Sequence, residues 1–356
     1  MTDALPFPSR RRLLGVCASL PLLGRVAPVC AMRTAAAAPA FPDAATILVA
    51  GPEGGTLDRW SRALAPGLAQ AMPPEIVIRR SLVGAVDGVT GANQFGARTA
   101  PDGQTVLLAP GDAVLAWLAG DPRAQYDVGL WMAAMAGLTT GVLVARTGAV
   151  APGRMVRLPA AGPAGPELPA ILGLDGIGAR VALTAPLSDD LLPAAFAQGA
   201  IEAALLRCPR AAAQVRALAA ADVQPVFTLG MLDPAGKLRR CESFPEVPVF
   251  PELQAMMRQS WAPALRTAWS AAAIAAQLEF ALVLPQLTPA AMVALWRTAA
   301  TETMAALDVQ AIARAAAVRL VAGTQATSAI NVAGADQPAL LALRGWLATR
   351  YHWKPA

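Results

Sequence analysis

The sequence predicts an α/β fold with parallel strands, and three segments carry that reading. Residues 46–50 form a short apolar run that ends in the turn-rich Gly51-Pro-Glu-Gly-Gly-Thr-Leu-Asp58 and then a helical pattern. Residues 105–109 do the same through Pro110-Gly-Asp112. Residues 75–79 repeat the strand, followed by a glycine-spaced turn over 84–93 and a short helix. Strand, loop and helix in repeating order specify a helix-covered parallel sheet, because a parallel return needs a crossover.

The first helix places Trp60, Leu64, Leu68 and Met72 on one face, the spacing of an amphipathic helix. Thr56 or Asp58 can cap it, while Pro66-Gly67 argues for a shorter element. Ala100-Pro-Asp-Gly-Gln104 is a turn leading into the third strand. From 146 to 170 the composition shifts to Pro, Gly and Ala, which marks a crossing into a second, smaller lobe. In that lobe residues 179–184 read as strand, 189–197 as helix and 201–206 as strand. Residues 225–229 read as the returning strand and 244–251 as proline-spaced extended chain. Residues 258–277 read as a helix with Pro263 in its first turn. Thr288-Pro289 opens another helix with Met292, Leu295, Trp296 and Met304, and residues 337–351 form a terminal one.

The 356 residues are 55% hydrophobic and 15% charged, enough apolar material for a sizeable core and too much for disorder. Basic residues number 29 against 24 acidic. Five of the basic ones (Arg10, Arg11, Arg12, Arg25, Arg33) and Asp3 lie in the first 40 positions, so the remainder is nearly neutral. With aromatics at 5%, this excludes a nucleic-acid footprint. The single histidine, His352, sits at the C-terminus. Histidine metal sites and Ser-His-Asp or Cys-His catalysis are therefore not expected, and neither a metal nor a cofactor is called for.

The first 40 residues read as an export signal. Ser9-Arg10-Arg11-Arg12-Leu13-Leu14 begins an apolar run to Leu23, and small residues follow from Thr34 to Ala40. Paired arginines before leucines resemble a twin-arginine signal, and the run is too short for the ~20 residues of a membrane span. The expected location is the periplasm after cleavage. Cys208 and Cys241 would then be the remaining cysteines, a candidate disulfide with two buried thiols as the alternative.

The motifs and their order resemble the periplasmic solute receptors of tripartite tricarboxylate transporters, the Bug proteins. The matches are Leu48-Val-Ala-Gly-Pro-Glu-Gly-Gly-Thr-Leu-Asp58, the stretch from Arg80 through Gly84, Gly88 and Gly91-Ala-Asn93, and Ala100-Pro-Asp-Gly-Gln-Thr-Val-Leu-Leu-Ala109. Phe244-Pro-Glu-Val-Pro248 and Thr288-Pro289 complete them. The resemblance implies a periplasmic-binding-protein type II-like fold, two α/β lobes joined by a hinge with a ligand cleft between them. The lobes are expected at 44–146 with 225–356, and at 147–224. It implies a non-enzymatic, monomeric receptor that takes a small carboxylate or amine-bearing metabolite and hands it to a membrane permease. The expected ligand contacts are Glu53, Gly54, Gly55, Thr56, Asp58, Gly111, Asp112, Gly162 and Gly165, since glycine-rich turns before helices present free N–H groups to anions.

The departures from the family bear on ligand choice. The second clamp reads Ala160-Ala-Gly-Pro-Ala-Gly-Pro166 and offers no side-chain donors. Acids stand at Glu53, Asp112 and Asp189-Asp190, where a carboxylate ligand would meet like charge. A lysine-rich helix is missing between 146 and 160, and the helix over 258–277 is an addition. A periplasmic sensor for a membrane kinase, a degenerate receptor without a small ligand, and an exported enzyme using Glu53 with Asp112 are the alternatives.

Overall fold

A computed structural model describes residues 43–74, 76–207, 209–233, 235–257 and 261–355. The export-signal segment and Cys208 lie outside the described residues. β1 (Ala44–Val49) leads through the glycine turn into α1 (Thr56–Gln70), and β2 (Val77–Leu82) into α2 (Val89–Arg98). β3 (Thr105–Ala109) leads directly into α3 (Gly111–Ala119). These three strands pair in parallel with β1 central, Leu48 facing Leu107 on one side and Ser81 on the other.

α1 passes through Pro66 without ending there. Its apolar face, Leu57, Trp60, Leu64 and Leu68, is fully packed. Burying such side chains is worth ~1.5–3 kcal/mol each, in sum well above the ~3 kcal/mol that proline costs a helix interior. Gly67 lets Thr303 approach, since a Cβ there would stand 2.8 Å from Thr303 Cγ2.

The large sheet is mixed rather than parallel. Its order is β13-β4-β12-β3-β1-β2, with β4 at Trp131–Leu138, β12 at Leu278–Pro285 and β13 at Arg319–Ala322. β12 runs antiparallel to both β3 and β4, and β13 antiparallel to β4. The expectation of parallel strands fails here because the chain re-enters the sheet from the end of a helix with no crossover, so β12 arrives reversed.

From β4 the chain crosses at Thr139-Thr140 into β5 (Gly141–Arg146), then β6 (Met155–Pro159), α4 (Leu168–Gly176) and β7 (Arg180–Thr184). α5 (Leu192–Ala197), β8 (Ala203–Arg207), α6 (Ala211–Leu218) and β9 (Val223–Thr228) follow. β5 is the centre of an antiparallel three-stranded sheet with β8 and β9, and β6 pairs in parallel with β7. The strands at both expected lobe boundaries, β5 and β9, thus belong to the small sheet. A short hairpin of β10 (Met231–Leu232) and β11 (Leu238–Arg239) leads to α7 (Phe250–Met256).

α8 (Pro263–Gln277) runs straight into β12. Then come α9 (Ala290–Ala305), α10 (Leu307–Ala315), β13, α11 (Gly323–Ala333) and α12 (Gln337–Tyr351). Trp296 of α9 is fully buried, and its Nε1 donates to Gly103 O at 2.9 Å, fixing the turn before β3. Among the described residues no helix is long and apolar enough to cross a membrane.

Candidate functional site

Sheet geometry places the site. The carboxyl ends of β1, β3 and β4 and the start of β12 lie at one edge of the large sheet, where open α/β sheets bind ligands. Two helices begin at that edge. α1 starts after Gly55 and α3 after Pro110, and neither N-terminus has a side-chain cap. Their first N–H groups therefore point outward, with the positive end of each helix dipole behind them.

Glycine is required at two of these positions. Gly54 has φ +72°, a left-handed turn that lets the chain reverse into α1. A Cβ at Gly111 would stand 2.0 Å from Ala275 O and 2.7 Å from Leu278 O, so α3 begins pressed against the junction of α8 with β12.

A cavity of about 220 Å³ opens over this edge, walled by Gly51, Gly55, Thr56, Gly111, Asp112, Arg207 and Glu279 among others. A second cavity of about 380 Å³ is walled by Thr139, Glu167, Asp189, Arg207, Arg210 and Glu279 among others. Arg207 and Glu279 belong to both walls, so the two chambers meet at these residues. The cleft is thus bounded on one side by the large sheet and on the other by the small sheet.

Arg207 ends β8 and pairs with Gly141, the first residue of β5, beside the crossing from β4. That crossing is fixed by Thr139, whose hydroxyl donates to Gln277 O at 3.1 Å. Glu279 is held by Trp60, whose Nε1 reaches Oε1 at 3.4 Å. Among the described residues, Arg207 forms no ion pair, and neither do Asp112, Glu167 or Glu279. Asp189 differs, since it faces Arg210 at 3.3 Å.

Burial pushes the Asp112 carboxyl above the ordinary carboxylate range, Arg207 works against that rise, and Asp87 and Glu279 add to it. Burial likewise pushes up Glu167, with its own backbone N–H and Arg207 opposing and Asp112 reinforcing. Cation and carboxylates feel one another across the cleft without closing onto each other. No group of three His, Cys, Asp or Glu among the described residues is placed to hold a metal ion.

Of the residues singled out in the sequence, Gly55, Thr56, Gly111 and Asp112 meet in the wall of the smaller chamber. Glu53, Gly54, Asp58, Gly162 and Gly165 are not among its wall residues or those of the larger chamber. Glu53 is exposed and 3.7 Å from Arg62. Asp58 is only 1% exposed and its carboxylate is already occupied. It accepts from Gly54 N at 2.9 Å, Arg62 Nη2 at 2.9 Å and Arg80 Nη1 at 2.8 Å, which ties the glycine turn to β2. Those bonds, Arg62 foremost, hold its carboxyl at about 2. Cys241 is a free, buried thiol 3.4 Å from Thr140 Oγ1, and its candidate partner Cys208 lies outside the described residues.

Four charged wall residues, Arg207, Arg210, Glu167 and Glu279, were not singled out from the sequence. Arg207 stands one residue past the expected strand end at Leu206, a lone cation closing an apolar run. Glu167 follows the Pro-Gly clamp by one residue, at the cap of α4. Glu279 follows an alanine-rich stretch that gives no sign of a strand.

No family profile matches the sequence, and no curated protein matches it. Solved structures do. A TctC solute binding protein from Polaromonas, determined without ligand, aligns with a TM-score of 0.62 over 86% of this chain and 98% of that one, at 14% identity. A structure described as a periplasmic transporter aligns with a TM-score of 0.50 over 88% and 98%, at 17% identity. The chain has the two-lobe, type II-like fold of periplasmic solute-binding proteins.

Proposed function

We propose that this chain is a divergent TctC-type receptor that captures a small organic acid or related polar metabolite in its interlobe cleft. On this reading it is exported through the twin-arginine-type signal at 1–40 and delivers its ligand to a membrane permease. The expected lobes of 44–146 with 225–356, and 147–224, become 44–140 with 229–356, and 141–228, so that β5 and β9 stay with the small sheet.

One observation carries the reading. Arg207 and two uncapped helix N-termini face a cleft that gives the guanidinium no protein partner. An unpaired charge in a half-buried wall costs free energy unless a bound group answers it. A carboxylate is the natural partner of both a guanidinium and a helix N-terminus.

The test is a thermal-shift screen of the purified protein against organic acids, amino acids and amines. A ligand at 100-fold its dissociation constant adds ~2.7 kcal/mol to stability. Arg207→Gln should abolish the shift while leaving the unliganded midpoint nearly unchanged, since no ion pair is lost. A screen with no response, or a response that survives Arg207→Gln, overturns the reading. Export is tested separately, with Arg10→Lys and Arg11→Lys together stopping it if the twin-arginine route is used.

A further inference from the structure

The cleft is richer in acid than a receptor for di- or tricarboxylates should be. Asp112, Glu167 and Glu279 stand in its walls against one unpaired cation, Arg207. Arg210 does not redress the balance, because Asp189 already pairs with it. The three acids come from three separate elements: the first turn of α3, the cap of α4 and the second residue of β12. They are not a solvated acidic run: Asp112 walls the smaller chamber, Glu167 the larger, and Glu279 both.

A second carboxylate on the ligand would enter beside these three, and like charges in a half-buried site repel. An ammonium carries three donors and can answer several carboxylates at once. From this we infer that the cleft is built for a small amine-bearing acid of net positive charge, with two amino groups for one carboxylate. The carboxylate is taken by Arg207 and the first N–H groups of α1 at Thr56. The amino groups lie against Asp112, Glu167 and Glu279. The inference rests on the cleft being a solute site, and it narrows the class of solute.

Titration calorimetry with lysine, putrescine and succinate tests it, on the protein and on its Asp112→Asn and Glu167→Gln variants. Lysine should bind at least tenfold more tightly than succinate, and more tightly than putrescine, which lacks the carboxylate. Each variant should weaken lysine at least tenfold while staying folded, with an unliganded thermal midpoint no lower than the wild type's. If one variant fails to fold, the other still decides. Succinate binding more tightly than lysine overturns the inference and leaves the receptor reading standing. Lysine affinity unchanged in a folded Asp112→Asn or Glu167→Gln variant also overturns it, as does putrescine binding as well as lysine. No heat with any of the three overturns it too, and the receptor reading falls with it only if the wider solute screen is also silent.

Discussion

Replacing Gly111 by alanine should damage fold and site together, by an amount the structure sets. The added Cβ would stand 2.0 Å from Ala275 O, 2.7 Å from Leu278 O and 3.1 Å from Leu278 Cβ. Non-bonded heavy atoms settle at ~3.5–4.0 Å, so the first oxygen must retreat by roughly 1.5 Å. Both oxygens are main-chain atoms at the junction of α8 with β12, so no side-chain rotation relieves the clash. Overpacking of a dense core costs ~1–3 kcal/mol, occasionally more, and a backbone clash belongs at the upper end. Each kcal/mol moves the midpoint of a domain near this size by about 2 °C, so a loss near 5 °C is expected. α3 would also shift outward, carrying Asp112 with it, and ligand affinity should fall in parallel. Gly162→Ala is the control, because a Cβ there meets nothing within 4 Å. Thermal unfolding followed by circular dichroism, with calorimetric titration, reads both effects. A Gly111→Ala protein that melts with the wild type would refute the argument that α3 is seated against that junction.

Three further outcomes follow from the same geometry. Asp58 titrates near 2 in the fold against 3.8 in the unfolded chain, so its contribution is complete above pH 3.8 and disappears as pH falls towards 2. Asp58→Asn should therefore be less stable at pH 7 and lose part of the acid sensitivity, and an unchanged urea midpoint at pH 7 would contradict this. Asp112 is raised above 3.8 among Arg207, Asp87, Glu167 and Glu279, which means its ionised form burdens the fold at neutral pH. Without ligand, Asp112→Asn should melt above the wild type at pH 7, with the gap closing as pH falls to 3.8. A lower midpoint at pH 7 would show that the carboxylate is structural. Trp269→Phe removes the 2.8 Å bond from Nε1 to Pro169 O, a net cost of ~0.5–1.5 kcal/mol. A denaturant midpoint equal to that of the wild type would count against the bond.

Much of the first half of the fold is legible from turn chemistry and period. The Pro-Asp-Gly turn gives β3 to the residue, and Gln337-Pro338 gives α12, where Asp336 accepts from Ala339 N as cap. β12 is not legible. The alanine-rich α8 passes into Leu-Glu-Phe-Ala-Leu-Val-Leu-Pro with no glycine or proline between, and a buried strand and a buried helix share that composition. Missing β12 conceals both the antiparallel pairing and Glu279. On the candidate site, the glycine turns point to the sheet edge where the cavity opens, because free helix N–H groups follow from local sequence. The opposing charges do not follow, since Arg207 reaches the cleft only through the pairing of β8 with β5.

The helix layer bears on how such a cleft discriminates. α8 reaches from the large-sheet side to α4 through Trp269, whose indole donates to Pro169 O. α12 does the same through Trp346, whose Nε1 donates to Asp175 Oδ2 at 2.9 Å, and Arg350 pairs with that carboxylate at 3.2 Å. Phe227 of β9, Phe250 of α7 and Trp269 pack in one tilted and edge-on cluster, with ring centroids 4.9 to 6.2 Å apart. The main core runs without a break from β1 through α8 into α4 and Leu158 of β6. A closure that swung the small sheet as a rigid body would have to open this shared core, and dense interiors switch between packings rather than stretch. On the receptor reading, the cleft would therefore recognise its ligand largely in a preset geometry, as most small-molecule sites do. Under that constraint Asp112, Glu167 and Glu279 cannot retreat from a mismatched anion. On that reading the charge of the ligand, more than its shape, would decide what is held.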